Sequence, residues 1–145
     1  MQLAEQVIVI TGASSGLGLA LAKTLAQQQA HVVLCSRSAD IPTQAKKLNG
    51  LGIVADVTDA EAMQRVTDTA VKQYGRIDVW INNAGTRIPH GPVEQIDPAR
   101  MRQMMEVNLF GVLNGSRAAL PVMKKQGSGT IVNILSTSAL TGRAH

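Results

Sequence analysis

The stretch Val7-Ile8-Val9-Ile10-Thr11-Gly12-Ala13-Ser14-Ser15-Gly16-Leu17-Gly18 runs from a short β-branched segment through a glycine-rich turn into a helical pattern. Four apolar residues closed by a turn signal fit a strand buried in a parallel sheet. Beyond the turn, Leu17, Leu21 and Leu25 recur at four-residue intervals with alanines between them, as on one apolar helix face. Gly12 allows a tight turn, Gly16 lets the backbone approach a ligand with no Cβ in the way, and Gly18 permits close packing of helix on strand. The helix then points unpaired N–H groups and its positive dipole end over the turn, which suits a pyrophosphate. Ser14, Ser15 and Leu17 lie in the same turn and join the three glycines as binding candidates. The plainer reading is a glycine turn that only connects strand to helix.

The spacing is G-x-x-x-G-x-G, which differs from the G-x-G-x-x-G of the general dinucleotide fingerprint. Thr-Gly-x-x-x-Gly-x-Gly directly after a first strand resembles the short-chain dehydrogenase/reductase family. That resemblance implies an α/β fold, a doubly wound parallel sheet of Rossmann type with strand order 3-2-1-4-5.

Composition bounds the alternatives. A chain of 145 residues is long enough for one domain with a real core, and no linker-like stretch divides it. Aromatic residues are only 2% against 45% hydrophobic, so the core has to be aliphatic, as in strands covered by helices. The net charge of +4 is scattered, and the basic pairs Lys46-Lys47 and Lys124-Lys125 lack interleaved aromatics, so no nucleic-acid surface is expected. No apolar run approaches the ~18 residues of a membrane helix. A lone Cys35 forms no internal disulfide, no Cys/His cluster has metal-ligand spacing, and a reducing cytoplasm is the expected compartment.

Residues 15–29 read as a helix and His31-Val32-Val33-Leu34-Cys35-Ser36 as a second strand, completing a βαβ unit. In the NAD form of this unit an acid about 20 residues past the glycines binds the ribose 2′-hydroxyl, whereas an arginine there accommodates a 2′-phosphate. Here the strand ends in Ser36-Arg37, with no acid until Asp40. Arg37, with Ser36 as an extra donor, resembles family members that prefer NADP(H) over NAD(H); the alternative is a solvated surface arginine.

A turn and third strand occupy residues 50–57, closed by Asp56-Val57. The resemblance makes Asp56 an acceptor for the adenine amino group, with Val57 beside it. Equally, Asp56 or Asp59 is the cap of a helix reaching Tyr74 and ended by Gly75. A fourth strand, Ile77-Asp78-Val79-Trp80-Ile81, delivers Asn82-Asn83-Ala84-Gly85. The resemblance implies that paired amides tie strand ends together here, while Asn83, Ala84 and Gly85 border a nucleotide ribose.

Residues 86–96 read as a loop, and residues 98–126 as one long helix capped by Asp97, opened by Pro98 and kinked at Pro121. Asn108 is a poor helix former in its middle. The resemblance makes it the catalytic Asn, sitting at a helix break where the backbone holds a relay water; Asn114 has no such match. A last strand over residues 129–136 carries Ser136, the catalytic serine that the resemblance implies, with Ser138 as rival.

The implied chemistry also needs a Tyr-x-x-x-Lys pair, in which the phenol exchanges a proton with a small alcohol, ketone or aldehyde. The sole tyrosine, Tyr74, is followed four residues later by Asp78. By family spacing the pair falls just beyond His145. Residues 1–145 are therefore expected to be a single NAD(P)-binding domain truncated after the fifth strand and inactive by itself. A non-catalytic dinucleotide- or partner-binding module is the alternative. Its long helix lacks a cover for its apolar face, which points to a homo-oligomer formed through residues 98–126.

Overall fold

A computed structural model of the chain describes residues 3–88 and 91–136. Five strands form one sheet in the order β3-β2-β1-β4-β5, and every neighbouring pair is parallel. β1 (Val7–Thr11) is central and buried along its whole length. α1 (Gly16–Gln27) leads to β2 (His31–Ser36), α2 (Ile41–Lys46) to β3 (Leu51–Val54), and α3 (Ala60–Tyr74) to β4 (Val79–Asn82). α4 (Pro98–Met105) and α5 (Gly111–Gln126) precede β5 (Thr130–Asn133). The described residues thus form a Rossmann-like α/β fold, as the glycine turn and the alternation of apolar runs with helical patterns predict.

The period-2 geometry of the strands divides the core between two faces. Val7, Val9, Val33, Cys35 and Trp80 face α3 and α5, joined by Met63, Val66 and Ala119. Ile8, Ile10, Val32, Leu34 and Ile81 face the other way, onto Ala22 of α1 and Ile41 and Ala45 of α2. Leu21 and Leu25 pack partly against this second cluster, but Leu17 is 54% exposed. The apolar spacing of α1 therefore overstates its buried face, because its first turn looks out over the sheet edge.

Local signals decide where α3 stops and starts. Asp59 accepts from the N–H groups of Glu61 and Ala62 at 2.9 and 3.1 Å, so it is the cap, and Asp56 is not. The Ala62 N–H, followed by the Glu61 N–H and Arg65, holds the Asp59 carboxyl below its ordinary pKa. α3 ends as expected at Gly75, which caps it in the left-handed conformation.

The expected single helix over residues 98–126 is interrupted. A five-residue π-helical segment, Glu106–Phe110, separates α4 from α5, and Asn108 is its middle residue. Such segments mark places where the helical ladder is given up for another contact. Pro121 lies inside α5, which continues across it to Gln126. Asn114 also has a definite partner: its Nδ2 donates to the carbonyls of Val57 and Thr58 at 3.0 and 3.3 Å, tying α5 to the segment after β3.

Small residues let α5 lie close to the sheet. A Cβ on Gly111 would come within 2.7 Å of the Val57 side chain, and one on Gly115 would strike the Asn82 amide oxygen and Trp80 Nε1. These two atoms are bonded to each other at 2.8 Å, and Trp80 is fully buried. The opposite side of this segment is bare, with Leu109, Phe110, Leu113 and Leu120 exposed by 51, 45, 45 and 43%.

Gly115→Ala should test this contact, because two effects oppose one another. Alanine gains about 1 kcal/mol of helix propensity, while overpacking against a rigid indole and a bonded amide costs about 1–3 kcal/mol. A lower urea midpoint is expected. A higher midpoint would show that α5 does not rest on Trp80.

Candidate functional site

All five strands run in one direction, so their C-terminal ends share one edge of the sheet. The ends of β1 and β4 are interlocked there. Thr11, 1% exposed, places its hydroxyl so that it donates to the Ile81 carbonyl and accepts from the N–H groups of Asn83 and Ala84, at 3.1 and 3.0 Å. In return the Asn83 side-chain amide donates to the carbonyls of Thr11 and Gly12, at 2.9 and 3.2 Å. One residue earlier, the Asn82 amide donates to Ser116 and to Asn133 of β5, so neighbouring amides on one turn tie three strand ends together.

This interlock brings the β1 turn very close to β4. A Cβ on Gly12 (φ 65°) would lie 2.7 Å from the Ala84 Cα, and one on Gly18 would be 2.5 Å from both the Asn83 amide nitrogen and the Gly12 carbonyl. Gly16 (φ 53°) is different, since nothing lies within 4 Å of the place its Cβ would occupy. Two of the glycines are therefore required by neighbouring backbone, and the third opens onto empty space.

Beside the turn lies a cleft of about 480 Å³, and Gly16, alone of the three glycines, is not among the residues that line it. Gly12, Ser14, Ser15, Leu17 and Gly18 line it from the β1–α1 turn, and Ser36 and Arg37 from the end of β2. Asp56 and Val57 line it after β3, and Asn83, Ala84 and Gly85 after β4. Ser15 caps α1 with extended backbone but makes no side-chain cap bond, and the first turn of α1 carries no acid. The positive end of the helix is thus not neutralised from within the turn.

Among the described residues, the charged side chains on the cleft wall are Arg37 and Asp56. The Arg37 guanidinium is 70% exposed and approaches the Asp56 carboxylate to 3.8 Å. Asp56 is held by Thr58, whose N–H and hydroxyl both donate to its Oδ1 at 3.0 Å. Beneath them Cys35 is a buried free thiol. Burial first, and the charge of Asp56 second, push its pKa up to about 12, so it is protonated and unreactive near neutrality.

Asn108 stands behind this wall. Its amide oxygen accepts from the Thr86 N–H and its Nδ2 donates to the Thr86 carbonyl, both at 2.8 Å. The π-helical segment turns that amide toward the loop after β4, and Thr86 itself lines the cleft. Ser136 is exposed three residues past the end of β5, on the same sheet edge; Ser138 lies outside the described residues. Tyr74 is at the opposite edge, where its ring stacks on His31, the first residue of β2, at 4.9 Å. Among the described residues no group of three or more His, Cys, Asp or Glu is placed to hold a metal ion, and no helix is long and apolar enough to cross a membrane.

The cleft also takes residues that the sequence did not single out: Ser38, Ala55, Thr86, Gln103 and Val107. Gln103 and Val107 are four apart and so share a helix face. That spacing could have paired them, but it carries no sign that the face covers a nucleotide-sized cleft.

Thr11→Val keeps the shape of the side chain and removes the acceptor, leaving the N–H groups of Asn83 and Ala84 unpaired. It should cost about 1–3 kcal/mol, read from urea unfolding, while Thr11→Ser should recover most of the loss. A valine variant as stable as the parent would show that the hydroxyl does not hold the turns together.

The model of the family described as short chain dehydrogenase matches residues 6–145. The chain is 36% identical to cis-4-hydroxycyclohexanecarboxylate dehydrogenase of Sinomonas cyclohexanicum, over 98% of this chain and 59% of that protein. It is 37% identical to the trans-4-hydroxycyclohexanecarboxylate dehydrogenase of the same organism, over 97% of this chain and 58% of that protein. It is 34% identical to levodione reductase of Leifsonia aquatica, over 95% and 55% respectively. The chain therefore spans a little over half the length of these curated relatives. With a parallel sheet in the order 3-2-1-4-5 and a family match over nearly all its residues, the chain belongs to the short-chain dehydrogenase family.

Proposed function

We propose that residues 1–145 are one nucleotide-binding domain of an NADP(H)-dependent oxidoreductase that interconverts a small alcohol and its ketone or aldehyde. The observation that carries the cofactor choice is the end of β2, where the cleft meets Arg37 and not an acid. The lining residues fit a dinucleotide. Gly16 leaves open space over the turn, the α1 N-terminus has no internal counter-charge, and a guanidinium stands where a 2′-phosphate would lie. Cytoplasmic location accords with the free thiol of Cys35.

In this reading Gly12, Ser14, Ser15, Gly16, Leu17 and Gly18 hold the pyrophosphate, and Ser36 and Arg37 the 2′-phosphate. Asp56 and Val57 border the adenine, and Asn83, Ala84 and Gly85 the nicotinamide ribose. When bound, the nicotinamide supplies the hydride chemistry. Ser136 donates a hydrogen bond to the substrate oxygen. Asn108 spends its side chain on Thr86, which leaves its backbone, within the loosened π-helical ladder, to hold a water in a proton relay. The names of the relatives, dehydrogenases of hydroxylated ring carboxylates and a reductase of a dione, support an alcohol/carbonyl pair.

A second reading, a dinucleotide-binding module without catalysis, is favoured by one observation. Tyr74 lies at the sheet edge away from the cleft, so it offers no phenol to a substrate there. A single assay addresses both readings, because NADPH fluorescence reports binding and consumption together. The 145-residue polypeptide should bind NADPH more tightly than NADH and should not oxidise it when ketones or aldehydes are added. Arg37→Asp should remove the preference, weakening NADPH binding by about 1.5 kcal/mol, the lower end for a charge-assisted bond at an exposed side chain. Equal affinity for both nucleotides before and after the change contradicts the cofactor assignment, and steady oxidation would reveal another proton donor.

The bare face of Leu109, Phe110, Leu113 and Leu120 supports association of copies through residues 98–126. Sedimentation of the polypeptide should give a dimer or larger species, and Leu113→Glu with Leu120→Glu should shift it toward monomer. A monomeric parent at high concentration would contradict this.

A further inference from the structure

Arg37 and Asp56, the one cation and the one anion of the cleft wall among the described residues, are paired with each other at 3.8 Å. From this pairing we infer that Asp56 sets how strongly the cleft selects for a 2′-phosphate, by competing with that phosphate for Arg37. The inference rests on the proposed role of Arg37 and adds a second determinant to it, on a different strand.

Three features define the competition. First, Asp56 is not free to turn away: the N–H and hydroxyl of Thr58 both hold Oδ1, which leaves Oδ2 facing the guanidinium. Second, no other cation among the described residues lines the cleft, so a 2′-phosphate that takes Arg37 has to share it with the carboxylate or displace it. Third, a phosphate dianion brought beside Arg37 stands close to a fixed negative charge, and like charges at such range repel. A nucleotide without the 2′-phosphate meets none of these costs. Through Arg37, Asp56 therefore acts on the 2′-phosphate increment, and its presence narrows the gap between the two nicotinamide cofactors. Because both side chains are partly exposed, at 70 and 38%, the pair is water-screened and its effect is about two- to fivefold rather than orders of magnitude.

The test uses two probes that differ only in that phosphate, 2′,5′-ADP and 5′-AMP, titrated calorimetrically into the full chain. Asp56→Asn keeps the size of the side chain and an oxygen for the Thr58 donors and for an adenine amino group. It should raise the ratio of 2′,5′-ADP affinity to 5′-AMP affinity by about two- to fivefold. Asp56→Ser, a smaller neutral residue, should move the ratio in the same direction, which guards against a peculiarity of one variant. In an Arg37→Met background either change should raise the ratio by less than in the parent chain, and an equal rise would overturn the competition for Arg37. If Arg37→Met collapses the preference but the neutral residues at 56 leave it unchanged or lower it, Asp56 does not compete and the inference is overturned. If Arg37→Met leaves the preference intact, Arg37 is not the phosphate partner, and the underlying assignment falls with it.

Discussion

The reciprocal bonding of Thr11 and Asn83 is the constraint on which the rest of the cleft depends. A hydroxyl has one donor and two acceptor positions, and Thr11 uses all of them on the segment that ends β4. The Asn83 amide donates in turn to two carbonyls of the β1 turn, those of Thr11 and Gly12. Buried backbone groups at a sheet edge need partners. Here those partners come from the neighbouring strand, so satisfying them also fixes the distance between the two turns. That distance leaves no space for a Cβ at Gly12 or Gly18.

Once the turns are locked, the direction of α1 follows, and with it the position of its uncapped positive end. The parallel sheet brings the ends of β2 and β3 to the same edge, which is why Arg37 and Asp56, far apart in sequence, meet there. The same geometry explains the π-helical segment. Asn108 can make two 2.8 Å bonds to the backbone of Thr86 only where the helix gives up its regular ladder. The cleft is thus assembled from polar side chains whose bonds are to backbone, an arrangement that resists rotamer drift.

Much of this was legible in the sequence because its causes are local. Val7 to Ile10 announce a strand by composition and Gly75 ends a helix by conformation, while the strand-tying amides of Asn82-Asn83 come from the family resemblance. What escaped were pairings set by the third dimension. Leu17 is readable as a turn residue of the cleft, which it lines. Its helical spacing also puts it on the apolar face of α1, and only the overhang of the first turn shows that it is not buried there. Asn114 looks incidental until α5 brings it to the carbonyls of Val57 and Thr58. Thr11 is visible as part of a motif, but its hydroxyl has meaning only once β4 lies beside it. The choice between Asp56 and Asp59 as helix cap likewise depended on a three-residue difference in where the helix begins, which composition does not carry.

The central claim is that a dinucleotide lies across this edge with its pyrophosphate on the α1 turn. The most direct measurement is residue-resolved amide NMR of the chain during titration with NADP⁺. The account predicts the largest shifts at Gly16, Leu17 and Gly18, with further shifts at Ser36 to Ser38 and Asn83 to Thr86, and none at the opposite edge around His31 and Tyr74. Saturable shifts that leave the glycine turn untouched, or that centre on the exposed face of α5, would contradict it.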